Sequence, residues 1–390
     1  MKHYFEKIKS KSWVSMATLS AFLFCCNIST LEAASLSAQD ISDKNIHGAY
    51  QGKSPAHFEE ETWHFFADFL FWQAQEDNLD YAAHELVSGT NIKQKTKDLD
   101  QHWKPGFRLG AGYHFGFHDQ WDLTTYWTYF RGTANDSSSF PGTTNVNTTG
   151  QGYLTPTWGL GLLGVTLSKA SAHWAVNMNL LDLKLGRNFF ASKTIAIRPY
   201  IGIRGASIDQ NYTANYTAVF TLEDFNANDF DVSKPTKMKA HNDYLGMGPR
   251  LGADFIWHIG RHWGLLAKFS GSLLYGHFDV DQTFKGFSID DTNQPHVLNA
   301  SKFKWNDDFN RVRVNLEESL GVQCEWLFRK WNFTAAILYE FSQWFEQNQL
   351  RRTTLLESAD PTSFPLNVVE TRESSDLGLN GVTFHVRFGF

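Results

Sequence analysis

The sequence has little that could staple a fold or build a metal centre. It holds 3 cysteines, and Cys25 and Cys26 fall inside a stretch that reads as a cleavable leader. Cys324 alone would remain, which excludes an intramolecular disulfide and a cysteine-built metal site. Basic clusters are also missing. The chain carries 35 Lys+Arg against 41 Asp+Glu, and the leader takes four of the former and two of the latter, which leaves 31 against 39 and a formal charge of -8. An acidic chain without a basic patch argues against nucleic acid as a partner. Finally, no segment after the leader approaches the run of about eighteen apolar residues that a membrane helix needs, so a helical membrane protein is excluded.

What the chain does have is aromatic residues in alternation. There are 33 Phe and 14 Trp, yet mean hydropathy is negative at -0.36. Strands with lipid on one face and water on the other hide their membrane signal in this way. The clearest case is the last stretch, Ser375 to Phe390. Val382, Phe384, Val386, Phe388 and Phe390 alternate with Gly381, Thr383, His385, Arg387 and Gly389. Period-2 side chains put the first set on one face of a strand and the second on the other. A terminal aromatic at Phe390, with Phe388 two residues before it, resembles the C-terminal assembly signal of bacterial outer-membrane barrels.

Three regions follow. Residues 1–34 read as a signal peptide, with Lys2, Lys7, Lys9 and Lys11, an apolar centre from Trp13 to Phe24 and a small-residue exit around Ala33 and Ala34. Phe24 stands where a lipidated cysteine would need a small residue before it, which argues against a lipoprotein. Residues 35–61 are polar and aperiodic, so they read as a flexible N-terminal extension. Residues 62–390 read as one transmembrane β-barrel.

Within that barrel the apolar rows are regular. Phe107, Leu109, Ala111, Tyr113 and Phe115 oppose Arg108, Gly110, Gly112 and His114, and Leu245, Met247, Leu251, Phe255 and Trp257 oppose Gly246, Gly248, Arg250, Gly252 and Asp254. In Thr62 to Gln75 both faces are bulky, and the alternation does not choose the lipid side. Further strands are expected at Trp121 to Tyr129, Tyr153 to Leu167, His173 to Leu185, Thr194 to Ser207, Trp263 to Phe278, Arg311 to Phe328 and Phe333 to Phe341. Glu318 is a misfit on its apolar row. A short helix is expected near Tyr81 to Val87. Long polar loops are expected at Thr133 to Gln151, Asp209 to Ala240, Asp279 to Asp308 and Gln347 to Ser374. Short links alternating with long ones are the pattern of an outer-membrane barrel, so the fold class is all-β, an antiparallel up-and-down barrel of about 12 strands within a range of about 10 to 16.

The resemblance to a known family lies in Phe69-Leu70-Phe71-Trp72-Gln73-Ala74-Gln75-Glu76-Asp77-Asn78-Leu79-Asp80-Tyr81-Ala82, in Lys104-Pro105-Gly106-Phe107-Arg108-Leu109-Gly110-Ala111-Gly112-Tyr113, in Trp121-Asp122-Leu123-Thr124, and in Arg198-Pro199-Tyr200-Ile201-Gly202-Ile203-Arg204-Gly205. In that order they resemble the Legionella-type major outer membrane protein family, which includes porin-like proteins of chlamydia-related bacteria. The resemblance implies a pore-forming outer-membrane barrel with no catalytic residues. The cysteine-rich, cross-linked chlamydial version is a departure, since this mature chain keeps only Cys324.

Two motifs carry less than they promise. Gly159, Gly161 and Gly164 match a dinucleotide fingerprint, with Asp182 near the expected distance, but a strand pattern rather than a helix follows them. The 15 histidines include His114 with His118 and His258 with His262, both across turns and neither in a ligand frame. No nucleophile, base and orienting group are assembled locally, so an enzyme, a cofactor and a metal are not expected.

The inward face is where function should lie. Arg198, Arg204, Arg250, Asp254, Lys268, Arg311, Arg313 and Glu317 all fall opposite the apolar rows, and a charge facing lipid costs about 2 to 4 kcal/mol. They are expected to line a pore, with Arg250, Arg311 and Arg313 making a weakly anion-favouring constriction tempered by Asp254 and Glu317, or else to brace the barrel as salt bridges. The reading is an outer-membrane porin for small hydrophilic solutes. Its partners would be outer-membrane lipid and lipopolysaccharide, the barrel assembly machinery, and further copies of itself. The alternative is an adhesin or structural barrel acting through its loops.

Overall fold

A computed structural model describes residues 62–390 apart from 89–90, 116–120, 141–151, 159–165, 193, 224–228, 260–261, 291–296, 329–330, 357–366 and 373. The expected signal peptide (1–34), the extension (35–61) and the glycine motif at 159–164 lie outside the described residues. In chain order the strands are β1 (Thr62–Glu76), β2 (Ala82–Ser88), β3 (Asn91–Lys97), β4 (Asp100–His114), β5 (Trp121–Ser139), β6 (Gly152–Pro156), β7 (Thr166–Arg187), β8 (Phe189–Phe190), β9 (Ile195–Glu223), β10 (Asp229–His258), β11 (Trp263–Asp290), β12 (Val297–Leu327), β13 (Asn332–Asn348), β14 (Arg351–Leu356), β15 (Asn367–Arg372) and β16 (Ser375–Gly389).

Ten of these close into an antiparallel barrel in the order β1, β4, β5, β7, β9, β10, β11, β12, β13, β16, and β8 adds two residues beside β9. Closure leaves no edge, as a lipid-embedded sheet requires. The seam is the β1–β16 ladder, with Phe65 opposite Phe388 and Phe69 opposite Phe384. Trp63 and Phe390 exchange both backbone hydrogen bonds at 3.1 and 3.0 Å. Short links after β4, β10 and β12 gather at this end, which is therefore the periplasmic one.

The strand count is ten against the favoured twelve, within the expected range. The expected strand Tyr153 to Leu167 is not one barrel strand: Thr166 and Leu167 open β7, while β6 pairs with β2, which also pairs with β3 in a separate three-stranded sheet. The helix expected near Tyr81 to Val87 is likewise corrected, because β2 is hydrogen-bonded along both edges and that pairing overrides a local helix preference.

Along the membrane band the apolar row faces out, with Leu251 61% and Ile201 57% exposed to their surroundings. In β1 the outward set is Trp63, Phe65, Phe69 and Phe71. Further from the periplasm the phase inverts. On β7 the inward side chains become Trp174, Val176 and Met178, each at most 1% exposed, while Asn177 and Asn179 lie on the outer side. On β9 Ile201 and Ile203 face out, but Ile208 and Tyr212 face in and are 1% exposed.

This inversion explains the main correction to the expected loops. Asp209 to Ala240 is mostly ladder, with β9 and β10 paired up to Glu223 opposite Asp229, and Asp279 to Asp308 likewise up to Asp290 opposite Val297. Thr133 to Ser139 extends β5, and part of Gln347 to Ser374 forms the β14–β15 hairpin. Beyond the bilayer water bathes the outer wall, so polar residues belong outside and apolar ones inside. A reading tied to one lipid-facing row ends the strand where the row changes sides.

Candidate functional site

The register of the ladders assembles charges inside the barrel. Asp182 of β7 lies opposite Arg204 of β9 and accepts it in a parallel pair of bonds, Nε to Oδ1 at 2.8 Å and Nη2 to Oδ2 at 3.0 Å. Arg250 of β10 donates Nη1 to the same Asp182 Oδ1 at 2.6 Å and pairs through Nη2 with Glu317 of β12. Glu317 also accepts Arg204 Nη1 at 2.5 Å and the Ser270 hydroxyl at 3.2 Å. Asp182, Arg204 and Arg250 are 0, 2 and 3% exposed. Two guanidiniums between two carboxylates cancel charge within the network, the condition under which buried ions persist.

Two further clusters repeat the arrangement. Arg108 of β4 bridges Asp68 of β1 at 2.7 Å and Glu340 of β13 at 3.0 Å, and His385 Nδ1 lies 2.6 Å from Asp68. Nearer the periplasm Arg198 pairs with Asp122 of β5 and, at 2.9 Å, with Asp254 of β10. Among these groups lies a cavity of about 250 Å³ that reaches His258 and Asn332 at the periplasmic ends of their strands. Lys184 on its wall sits over the rings of Tyr126 and Tyr200, at 4.8 and 4.2 Å.

Of the residues expected to line a pore, Arg198, Arg250, Asp254, Lys268 and Glu317 line this cavity, and Arg204 belongs to the ionic network beside it. Arg311 and Arg313 stand elsewhere. Arg313 pairs with Glu346 at 3.2 Å and lies 4.8 Å from the Phe278 ring. Arg311 is exposed and lies 5.3 Å from the Phe309 ring. Arg250 is thus not brought together with Arg311 and Arg313, and its charge is held by Asp182 and Glu317. The residues that sequence reasoning missed are the partners: Asp68, Arg108, Asp122, Asp182 and Glu340. Arg108, Asp122, Asp182 and Glu340 fall on the face opposite their strands' apolar rows, which is a usable signal, whereas in β1 both faces are bulky and alternation does not place Asp68. In the sequence Asp182 stands out only by its distance from the glycine motif.

Toward the extracellular end the interior is apolar and filled. Trp174, Tyr212, Tyr244, Phe278 and Trp344 are each at most 1% exposed, with Tyr244 and Phe278 ring centroids 4.6 Å apart. The small β2–β3–β6 sheet contributes to the same packing through Leu154 and the adjoining Tyr81 and Trp158. Trp158 lies 5.1 Å from Tyr212 by ring centroid and donates its indole N–H to Asp80 O at 2.6 Å. Tyr216 donates its hydroxyl to Tyr81 O at 2.8 Å. Arg352 pairs with Asp80 and lies 4.9 Å from the Trp158 ring. Ten strands stand close to the eight whose interior side chains just fill.

A closed antiparallel barrel with an aromatic outer wall and a charged, hydrogen-bonded interior defines a bacterial outer-membrane β-barrel protein. The chain belongs to the Legionella pneumophila major outer membrane protein precursor family, whose model matches residues 55–390. It resides in the bacterial outer membrane. No curated protein matches it. Among solved structures it is similar to the outer membrane protease OmpT of Escherichia coli, at 9% identity, 84% of this chain, 96% of that one and a TM-score of 0.36. It is also similar to the outer membrane protein OprG of Pseudomonas aeruginosa, at 11%, 85%, 97% and 0.23. A third likeness is to the toluene transporter TodX of P. putida, at 7%, 84%, 89% and 0.19. At these scores the likenesses carry no argument about activity.

Proposed function

We propose that this protein is a narrow outer-membrane channel for small hydrophilic solutes, entered through the polar half of its interior and closed at the other end by apolar packing. The observation that carries this reading is the cavity among Arg198, Arg250, Asp254, Lys268 and Glu317, walled by charges from many strands. Side chains that merely braced the barrel would need no such space between them. Because the arginines there are matched by carboxylates, selectivity by charge is weak and selection is by size.

In this reading the β2–β3–β6 sheet, tied to the apolar packing through the adjoining Trp158 and the Arg352–Asp80 pair, is what must shift for the channel to open. Single-channel recording in planar bilayers tests the reading. Wild type should show small, infrequent openings, and Trp158→Ala with Arg352→Ala should show larger and longer ones. Silence from both, in material that retains a heat-modifiable barrel, overturns it. That outcome would favour a structural or adhesive barrel, the reading that the filled upper interior supports.

Assembly is proposed to depend on Phe388 and Phe390. Phe390 closes the seam against Trp63 and stacks on Phe65 at 6.0 Å between ring centroids. Phe390→Lys should abolish the heat-modifiable form in membranes, and an unchanged yield would remove the assignment.

A further inference from the structure

Arg311 and Arg313 take no part in the ionic interior, yet the fold gathers further arginines around them. The β14–β15 hairpin brings Arg351 and Arg372 onto Asp307 of β12, each with Nη2 2.7 Å from the same Oδ2. Arg372 and Arg311 share the Phe309 ring, at 4.4 and 5.3 Å from its centroid. Phe309 in turn stacks on Phe278 at 5.3 Å, and Arg313 lies over Phe278. Burial, and then the neighbouring Arg311 and Arg351, push the Arg372 guanidinium below its ordinary value, as crowded cations do to one another.

Positive charge is left over here. Arg311 is exposed and has no carboxylate partner among the described residues. Arg313 gives only Nη1 to Glu346, and its Nε and Nη2 are buried without a partner. Glu346 itself sits at φ 51° beside the irregularity between Trp344 and Asn348, a left-handed backbone that a glutamate seldom adopts. The outer wall at this level is acidic instead. Asp209, Asp243, Asp279 and Asp308 lie directly opposite one another across β9 to β12, with Lys304 on Asp281 at 3.5 Å beside them. This aspartate row turns anions away from the outside, and they collect at the arginines on the inner side of β12.

We propose that Arg311, Arg313 and Arg372 bind a doubly charged phosphate group, free or carried as a monoester by a soluble molecule. Guanidinium forks match phosphate oxygens in bidentate fashion. A phosphate monoester brings about −1.5 to −2 charge and three acceptor oxygens at pH 7, enough to face three arginines. A carboxylate solute would only exchange with Asp307 or Glu346. Glu346 is the group that gives way, since its side chain is 57% exposed and can turn to water, which uncovers Arg313. The site lies apart from the periplasm-facing cavity, so it does not depend on the barrel conducting.

The test is isothermal titration calorimetry of the purified full barrel in a zwitterionic detergent, with glucose 6-phosphate, glucose 6-sulfate, glucose and inorganic phosphate as probes. Wild type should bind glucose 6-phosphate saturably, the singly charged sulfate ester more weakly and glucose not at all. A preference for glucose 6-phosphate over inorganic phosphate identifies an ester as the ligand, the reverse order identifies the free ion, and either bears out the site. Arg311→Gln and Arg372→Gln should each weaken binding on the order of tenfold, the loss of one hydrogen bond to a charged group. Glu346→Gln should tighten it, because Arg313 then has no competing carboxylate. A heat-modifiable band certifies that each variant is folded. Absence of saturable phosphate binding by wild type would overturn the proposal, as would equal affinity for the sulfate ester. So would an equal loss from Lys304→Gln on the outer wall, which would make the attraction diffuse rather than a site.

Discussion

The two halves of the barrel interior solve opposite problems with the same strands. In the membrane-level half the inside is ionic, with Asp182, Arg204, Arg250 and Glu317 sharing charges across β7, β9, β10 and β12. In the extracellular half the inside is mainly a core of Trp174, Tyr212, Phe278 and Trp344, with Gln210, Asn242 and Gln347 buried among them. The difference follows the solvent outside. Where lipid covers the outer wall, every polar group that the chain carries is driven inward and must find a partner there. Where water covers it, most polar groups can stay outside and burial of apolar surface holds the sheet together.

Breaking the ionic half should have the largest effect. Arg204→Met leaves the buried Asp182 and the part-buried Glu317 with one guanidinium between them, and removal of one member of a buried pair costs about 3 to 5 kcal/mol. The check is the urea midpoint of vesicle-embedded barrel. A cycle with Asp182→Asn should recover part of the loss, and strict additivity would mean that the two residues are not coupled.

In the apolar half Trp344→Ala should cost about 3 kcal/mol, the lower end of the range for a buried aromatic. It should also raise single-channel conductance, which Arg204→Met should not do. If Trp344→Ala lowers stability and leaves conductance untouched, the upper packing is not the closure.

Replacing the same residue type in the other half sharpens the contrast. Arg313 is paired with Glu346, whose side chain is 57% exposed, so Glu346 can turn to water when its partner goes. Arg313→Met should therefore shift stability by about 1 kcal/mol or less. The smallest effect should come from Lys304→Ala, where both partners are exposed, at a few tenths of a kcal/mol or about zero. A loss of several kcal/mol from Arg313→Met would show that depth, rather than the partner's exposure, sets the penalty.

The barrel itself was legible in the sequence wherever one face stayed apolar for a whole strand, as along Val382 to Phe390. The inward side of Arg198, Arg250 and Glu317 followed from the same alternation. Two kinds of fact were not legible. Pairing between Asp182 and Arg204 depends on which strand lies beside which and in what register, and no local pattern encodes that. Extension of β9 to Glu223 and β11 to Asp290 escaped because the apolar residues switch faces near Gly205 and Gly276. At the switch alternation continues while its meaning reverses.

That switch fixes the height at which the protein floats. From Trp257 to Leu245 the outer wall of β10 spans about 40 Å along the strand, or about 28 Å along the bilayer normal at a tilt near 45°. Two residues beyond Leu245 the aspartate row begins. Sinking by that much would submerge four carboxylates, and rising by as much would strip lipid from Trp257 and Trp263 at the other rim. A thinner or thicker bilayer must therefore deform to meet this wall, or the barrel must tilt. In a membrane of mixed thickness the protein should gather where the hydrocarbon layer already fits it.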